Sequence, residues 1–70
     1  MRYAIIDVKC GENVGFLKEA HLMVDGGRKM VVNENELLDF GDVDEVAASM
    51  GGTLMGIGEV KEEIKRLNNG

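Results

Sequence analysis

The chain has 70 residues with 44% hydrophobic and 30% charged, one cysteine, one histidine and a formal net charge of −5. That length holds a single domain, 1–70, with a thin core that buries roughly 60% of the surface the unfolded chain exposes. One cysteine and one histidine exclude a disulfide framework and a structural zinc site of the usual Cys/His kind. An acidic balance with scattered Lys and Arg argues against nucleic acid and against an anionic membrane as partners.

No apolar run reaches the ~18 residues that a bilayer-spanning helix needs. The start, Met1-Arg2-Tyr3-Ala4-Ile5-Ile6, meets a charge at Asp7 before any long apolar stretch forms, so no signal peptide is expected and the cytoplasm is the expected location.

Residues 3–9 read as an interior strand. Ala4, Ile6 and Val8 alternate with Asp7 and Lys9, and Ile5 adds apolar weight to the other face. Cys10-Gly11-Glu12-Asn13 signals a turn. Residues 14–24 fit two periods. As a strand, Val14, Phe16, Ala20, Leu22 and Val24 share a face, with Lys18 as the misfit; as a helix, Phe16, Leu17, Ala20 and Val24 form a stripe. Asp25-Gly26-Gly27 decides between them, because it is a tight-turn sequence set between two β-prone runs. The expectation is a hairpin with strands near 16–24 and 28–33 and a bulge at Lys18.

Asn33 and Glu36 stand at capping-box spacing, so a short helical turn is expected over 34–39, ending at Gly41. Asp42 and Glu45 repeat that spacing, and Val43, Val46, Ala47 and Met50 form one apolar helical face that Gly51-Gly52 terminates. Residues 53–57 read as a short strand. A last helix, 59–67, carries the stripe Val60, Ile64 and Leu67, with Glu59, Glu62 and Glu63 early and Lys65 and Arg66 late, as the helix dipole favours. The expected fold is therefore an α+β two-layer sandwich. Its sheet is four-stranded and mixed, in the order β-β-β-α-β-α, and two helices share one face.

Four carboxylates around a glycine turn, Asp39, Asp42, Asp44 and Glu45, are candidate ligands for a hard cation, calcium first. The spacing is not an EF-hand loop, and helix capping by Asp42 with dipole-favoured Asp44 and Glu45 is the stronger account of it. Gly51–Gly58 has part of a phosphate-binding pattern, but Lys61 stands where a third glycine belongs and Glu59, Glu62 and Glu63 would repel an anion. Cys10 is a nucleophile only with a base, and His21 is the one histidine; by strand alternation His21 points away from the apolar face. Met50 and Met30 fit the core. Met23 and Met55 alternate onto the opposite face, where with Leu17 and Ile57 they would form an exposed apolar patch on the uncovered side of the sheet.

With no nucleophile–base pair, metal triad or complete phosphate loop, the leading expectation is a non-enzymatic module that binds a protein partner or assembles as a homo-oligomer. A divalent-cation (calcium) binder that uses 39–45 is the alternative.

Overall fold

The computed structural model describes residues 1–69. The first strand, β1 (Tyr3–Asp7), buries Ala4, Ile5 and Ile6, with apolar side chains on both of its faces. It ends two residues earlier than its alternation suggests. Asp7 keeps extended backbone, but Val8 begins a helix, α1 (Val8–Asn13). Val8 N–H still makes the last bond of the β1–β3 register, donating to Arg28 O at 3.0 Å, and the chain turns into the helix directly after it. Gly11 lets α1 lie on the sheet, because a Cβ there would stand 2.6 Å from the buried Met30 sulfur.

The expected strand over 16–24 shrinks to β2 (Met23–Val24). Gly15, at φ +95°, turns the chain, and Lys18–Ala20 forms a 3₁₀ turn whose residues are all exposed. Three successive exposed residues have no inward-facing member, so no strand with one buried face can run through them. The hairpin itself forms where Asp25-Gly26-Gly27 places it, with φ of +54°, +64° and +83° at those three residues. β3 (Lys29–Asn33) returns antiparallel to β2, pairing Met30 with Met23, and lies antiparallel to β1, pairing Val32 with Ala4.

Asn33 then caps α2 (Glu34–Leu37). Its side chain accepts from Glu36 N–H at 3.1 Å, and the Glu36 carboxylate accepts from Asn33 N–H at 3.0 Å. A 3₁₀ turn, Leu38–Phe40, continues to Gly41 at φ +125°. The Asp42 carboxylate caps α3 (Val43–Ser49) by accepting from the N–H groups of Asp44 and Glu45.

The expected fourth strand, 53–57, is a correction. The chain there makes a single antiparallel bridge, Met55 with Tyr3, through two 2.8 Å hydrogen bonds on the outer edge of β1. The sheet is three-stranded and wholly antiparallel, in the order β1-β3-β2, not four-stranded and mixed. Ile57 already belongs to the last helix, α4 (Ile57–Asn69), so no further residue is left to extend the pairing.

The helices do not share a face. The first apolar cluster joins Ala4, Ile6, Met30 and Val32 to Val8 of α1, Leu37 of α2, Ala47 of α3 and Met50. The second joins Ile5 and Val24 to Val60 of α4, with Tyr3, Val31, Met55, Ile64 and Leu67 against them. The fold is three layers: α1, α2 and α3, then the sheet, then α4. The 51–55 segment carries the chain from one face to the other around the edge of β1. No helix is long and apolar enough to cross a membrane among the described residues.

Candidate functional site

The stretch 16–21 is held on α2 by side chains, and only at Leu22, whose carbonyl accepts from Val31 N–H at 2.9 Å, does the pairing with β3 begin. Its 3₁₀ turn orients His21, whose ring is almost closed off from solvent, at 7% side-chain exposure. His21 Nδ1 lies 2.7 Å from Leu17 O, and Nε2 lies 2.8 Å from Glu36 Oε1. A carbonyl and a carboxylate oxygen accept hydrogen bonds and cannot donate them. Both contacts are therefore hydrogen bonds at once only when the ring carries two protons. Burial pulls the His21 pKa down, but the Leu17 carbonyl and the Glu36 carboxylate outweigh it, and the net shift is upward. The other oxygen of Glu36 is the one bonded to Asn33 N–H, so the histidine contact and the helix cap share a single carboxylate.

Aromatic contacts run beside this polar one. The Phe16 ring lies 5.4 Å from His21 and 5.9 Å from Phe40, the latter edge to face at 76°. Such pairs add to the burial of the rings. On the two segments that these contacts join, Leu17, Leu22, Leu38 and Phe40 stand in solvent, at 65%, 58%, 60% and 44% exposure. Among the described residues these are four of the six exposed large apolar side chains; Met1 and Ile57 are the others. A groove of 300 Å³, lined by Glu12 and Gly15–Glu19, opens beside Leu17.

The expected interface quartet does not form one patch. Leu17 is exposed in this corner, while Met23 packs on the first apolar cluster. Met55 packs on the second, on the other side of the sheet, and Ile57 is exposed at the start of α4. The sheet face that was to be left open is the one α4 covers.

The acidic cluster is also dispersed in its contacts. Asp42 is occupied as the cap of α3, Asp44 pairs with Arg2 at 3.3 Å, and Asp39 and Glu45 are exposed. Among the described residues no three His, Cys, Asp or Glu side chains are grouped to hold a metal ion.

Cys10 is a half-buried free thiol in a cleft of 520 Å³ lined by Asp7, Lys9, Lys18, Gly27 and Arg28 among others. Both nitrogens of His21 are engaged by Leu17 and Glu36, so the histidine does not serve this thiol as a base. In the glycine-rich passage, Gly51 takes φ +84° and Gly52 presses on β1, which is a packing role.

Sequence reasoning turned His21 outward and passed over Leu22, Leu38 and Phe40. A signal for the last two was present. Leu37, Leu38 and Phe40 fall within one helical turn and a half, and a turn that buries Leu37 must turn Leu38 away. No known family model matches this chain, and no curated protein and no solved structure matches it.

Proposed function

We propose that this chain is a small non-enzymatic docking module that binds a protein partner through the corner formed by 16–22 and 38–40. One observation carries this: four exposed large apolar side chains lie on two segments that a half-buried His21–Glu36 contact and an aromatic contact fasten together. Scattered exposed apolar residues are ordinary, but their concentration at one place marks an interaction surface.

Charge supports the kind of partner. On and beside the two segments, Lys18 faces Glu12, while Glu19, Asp39 and Asp42 are exposed and the whole chain carries −5. The partner that fits is an apolar ridge with basic flanks. A second copy of this acidic chain fits less well, because like charges would face each other. The fold does not need a second copy for compactness either. Its accessible surface of 4355 Å² is close to the ~4300 Å² that the size scaling gives for a monomer of its mass. A free thiol at Cys10 suits the cytoplasm, which is where we place the protein.

The test is an amide NMR titration with a synthetic amphipathic Leu/Lys peptide, with an all-Lys peptide of equal charge as control. The Leu/Lys peptide is expected to shift amides of 16–22 and 38–40 together and to saturate. The all-Lys peptide is expected to produce weak shifts spread over many carboxylates. Leu22→Asp should weaken the Leu/Lys peptide at least about tenfold, roughly 1.4 kcal/mol. Shifts that ignore this corner, or a Leu22→Asp variant that binds as well as the parent, refute the proposal. A dimer in sedimentation that Leu22→Asp dissociates would make the partner a second copy.

A further inference from the structure

The His21 ring sits between two acceptors, with little access to water. Loss of one ring proton leaves a nitrogen lone pair facing an oxygen lone pair at 2.7 or 2.8 Å. At 7% side-chain exposure, water is poorly placed to fill that gap, so one contact must open. The Leu17 contact is local, four residues back along the chain. The Glu36 contact is the one that spans from the 14–22 segment to α2.

The surroundings leave Glu36 in control of this group. From the segment itself, Lys18 turns to Glu12 and Glu19 is exposed. From α2, Glu34 turns to Arg2, and from the 3₁₀ turn after it Asp39 is exposed. Among the described residues Glu36 is the charged group that acts on the ring.

We propose that His21 is a proton-operated latch, which in its charged form clamps Leu17–His21 against α2 through two hydrogen bonds and in its neutral form, with one of them gone, loosens that stretch between the backbone bonds that hold Phe16 to Gly11 and Leu22 to Val31. What the latch regulates rests on the reading of the corner as a docking surface; the latch itself does not. The direction follows from linkage. The folded-state pKa is raised, so the clamp is complete below the unfolded histidine value of about 6.5 and is lost as pH rises through the folded value. The corner is thus assembled on the acid side and loosened on the alkaline side. Leu17, which rides on the loosened stretch, loses its fixed placement, while Leu22 stays bonded to β3.

The experiment is an NMR pH titration of the whole chain, which follows the His21 Cε1–H signal and all backbone amides. His21 is expected to titrate above about 6.5. Amides of 16–22 and 36–40 are expected to move with the same midpoint, while those of 60–67 stay still. In Glu36→Gln the side-chain amide offers an N–H to the neutral ring. The midpoint should then fall below that of the parent, and 36–40 should stop following it. In His21→Gln, which keeps a donor but cannot titrate, the transition in 16–22 should vanish; this variant decides the matter should Glu36→Gln fold poorly. A His21 midpoint at or below its ordinary value, or a titration that 16–22 and 36–40 do not follow, overturns the latch. The Leu/Lys peptide titration, run on the acid side, is independent of this result. Its failure removes the docking surface and leaves the latch standing, and the reverse also holds.

Discussion

Gly52 shows how much of this fold depends on a single missing side chain. Where the chain leaves α3 and rounds the edge of β1, a Cβ on residue 52 would stand 2.6 Å from the Ile5 carbonyl oxygen and 3.0 Å from an Ile6 methyl. The first neighbour is backbone in the sheet and cannot turn aside. Gly52→Ala is therefore expected to destabilise the protein by about 1–3 kcal/mol, as overpacking does. Gly58 is the control. It lies in the first turn of α4 with nothing within 4 Å of the added Cβ, and Gly58→Ala should stabilise by about 0.5 kcal/mol through helix propensity. Urea unfolding of the two variants and the parent checks both signs at once. Glu34 makes a second prediction at this scale. The Arg2 backbone N–H donates to its carboxylate at 2.8 Å and the Arg2 guanidinium reaches its other oxygen, and together they hold its pKa below the usual value. A depressed carboxylate contributes stability above its unfolded value of about 4.3, and that contribution is lost as pH falls through the folded value. In acid titrations of stability, Glu34→Gln should accordingly lose less than the parent over that range.

At the scale of the element, the helix caps are the features that sequence spacing describes best. A capping box needs only an acceptor at one position and a carboxylate three residues on, and both are written in Asn33 and Glu36. Asn33→Ala should cost about 1 kcal/mol in thermal unfolding. It should also disturb the His21 signal, since Glu36 serves the cap and the histidine together. The hairpin is legible for the same local reason. Asp25, Gly26 and Gly27 all take positive φ, and few other residue triplets accept that. Strand ends were not legible. Val8 continues the alternation of β1 and even keeps the ladder bond to Arg28 O, and the close fit of Gly11 on Met30 is what lets the chain lie on the sheet as a helix there. Over 16–21 the alternation of apolar residues is real, but the 3₁₀ turn and a histidine fixed to a distant carboxylate replace the ladder. A partner fifteen residues away leaves no trace in a local period. That is why His21 reads from sequence as solvated when its side chain is enclosed.

For the molecule as a whole, the decisive step is which side of the sheet each helix takes. The stripes on α3 and α4 are both visible as Val, Ala, Met, Ile and Leu at helical spacing, but a stripe states only that a helix is covered, not by which face. A crossover through a fourth strand puts both helices together; a single bridge at Met55 lets α4 pass to the far side. The candidate docking patch moved for that reason. With α4 in place, helices cover both faces of the sheet, and four exposed apolar side chains lie instead on 17–22 and 38–40. The two layers that result are unequal. The first cluster holds eight buried residues from β1, β3 and three helices, and the second holds three, Ile5, Val24 and Val60. Truncation should expose the difference. Ile6→Ala removes three buried carbons from the larger layer and should cost about 2–5 kcal/mol with loss of the whole fold. Val60→Ala removes two methyl groups from the smaller layer, about 1.5–2 kcal/mol from transfer alone. That loss falls on α4, whose remaining apolar contacts, Ile64 and Leu67, are only partly buried. Native-state hydrogen exchange should therefore show α4 opening at lower free energy than β3 in the parent, and Val60→Ala should widen the gap. If the amides of 60–67 exchange with the same free energy as those of 29–33 in both proteins, the two layers unfold as one unit and α4 is not the weaker half.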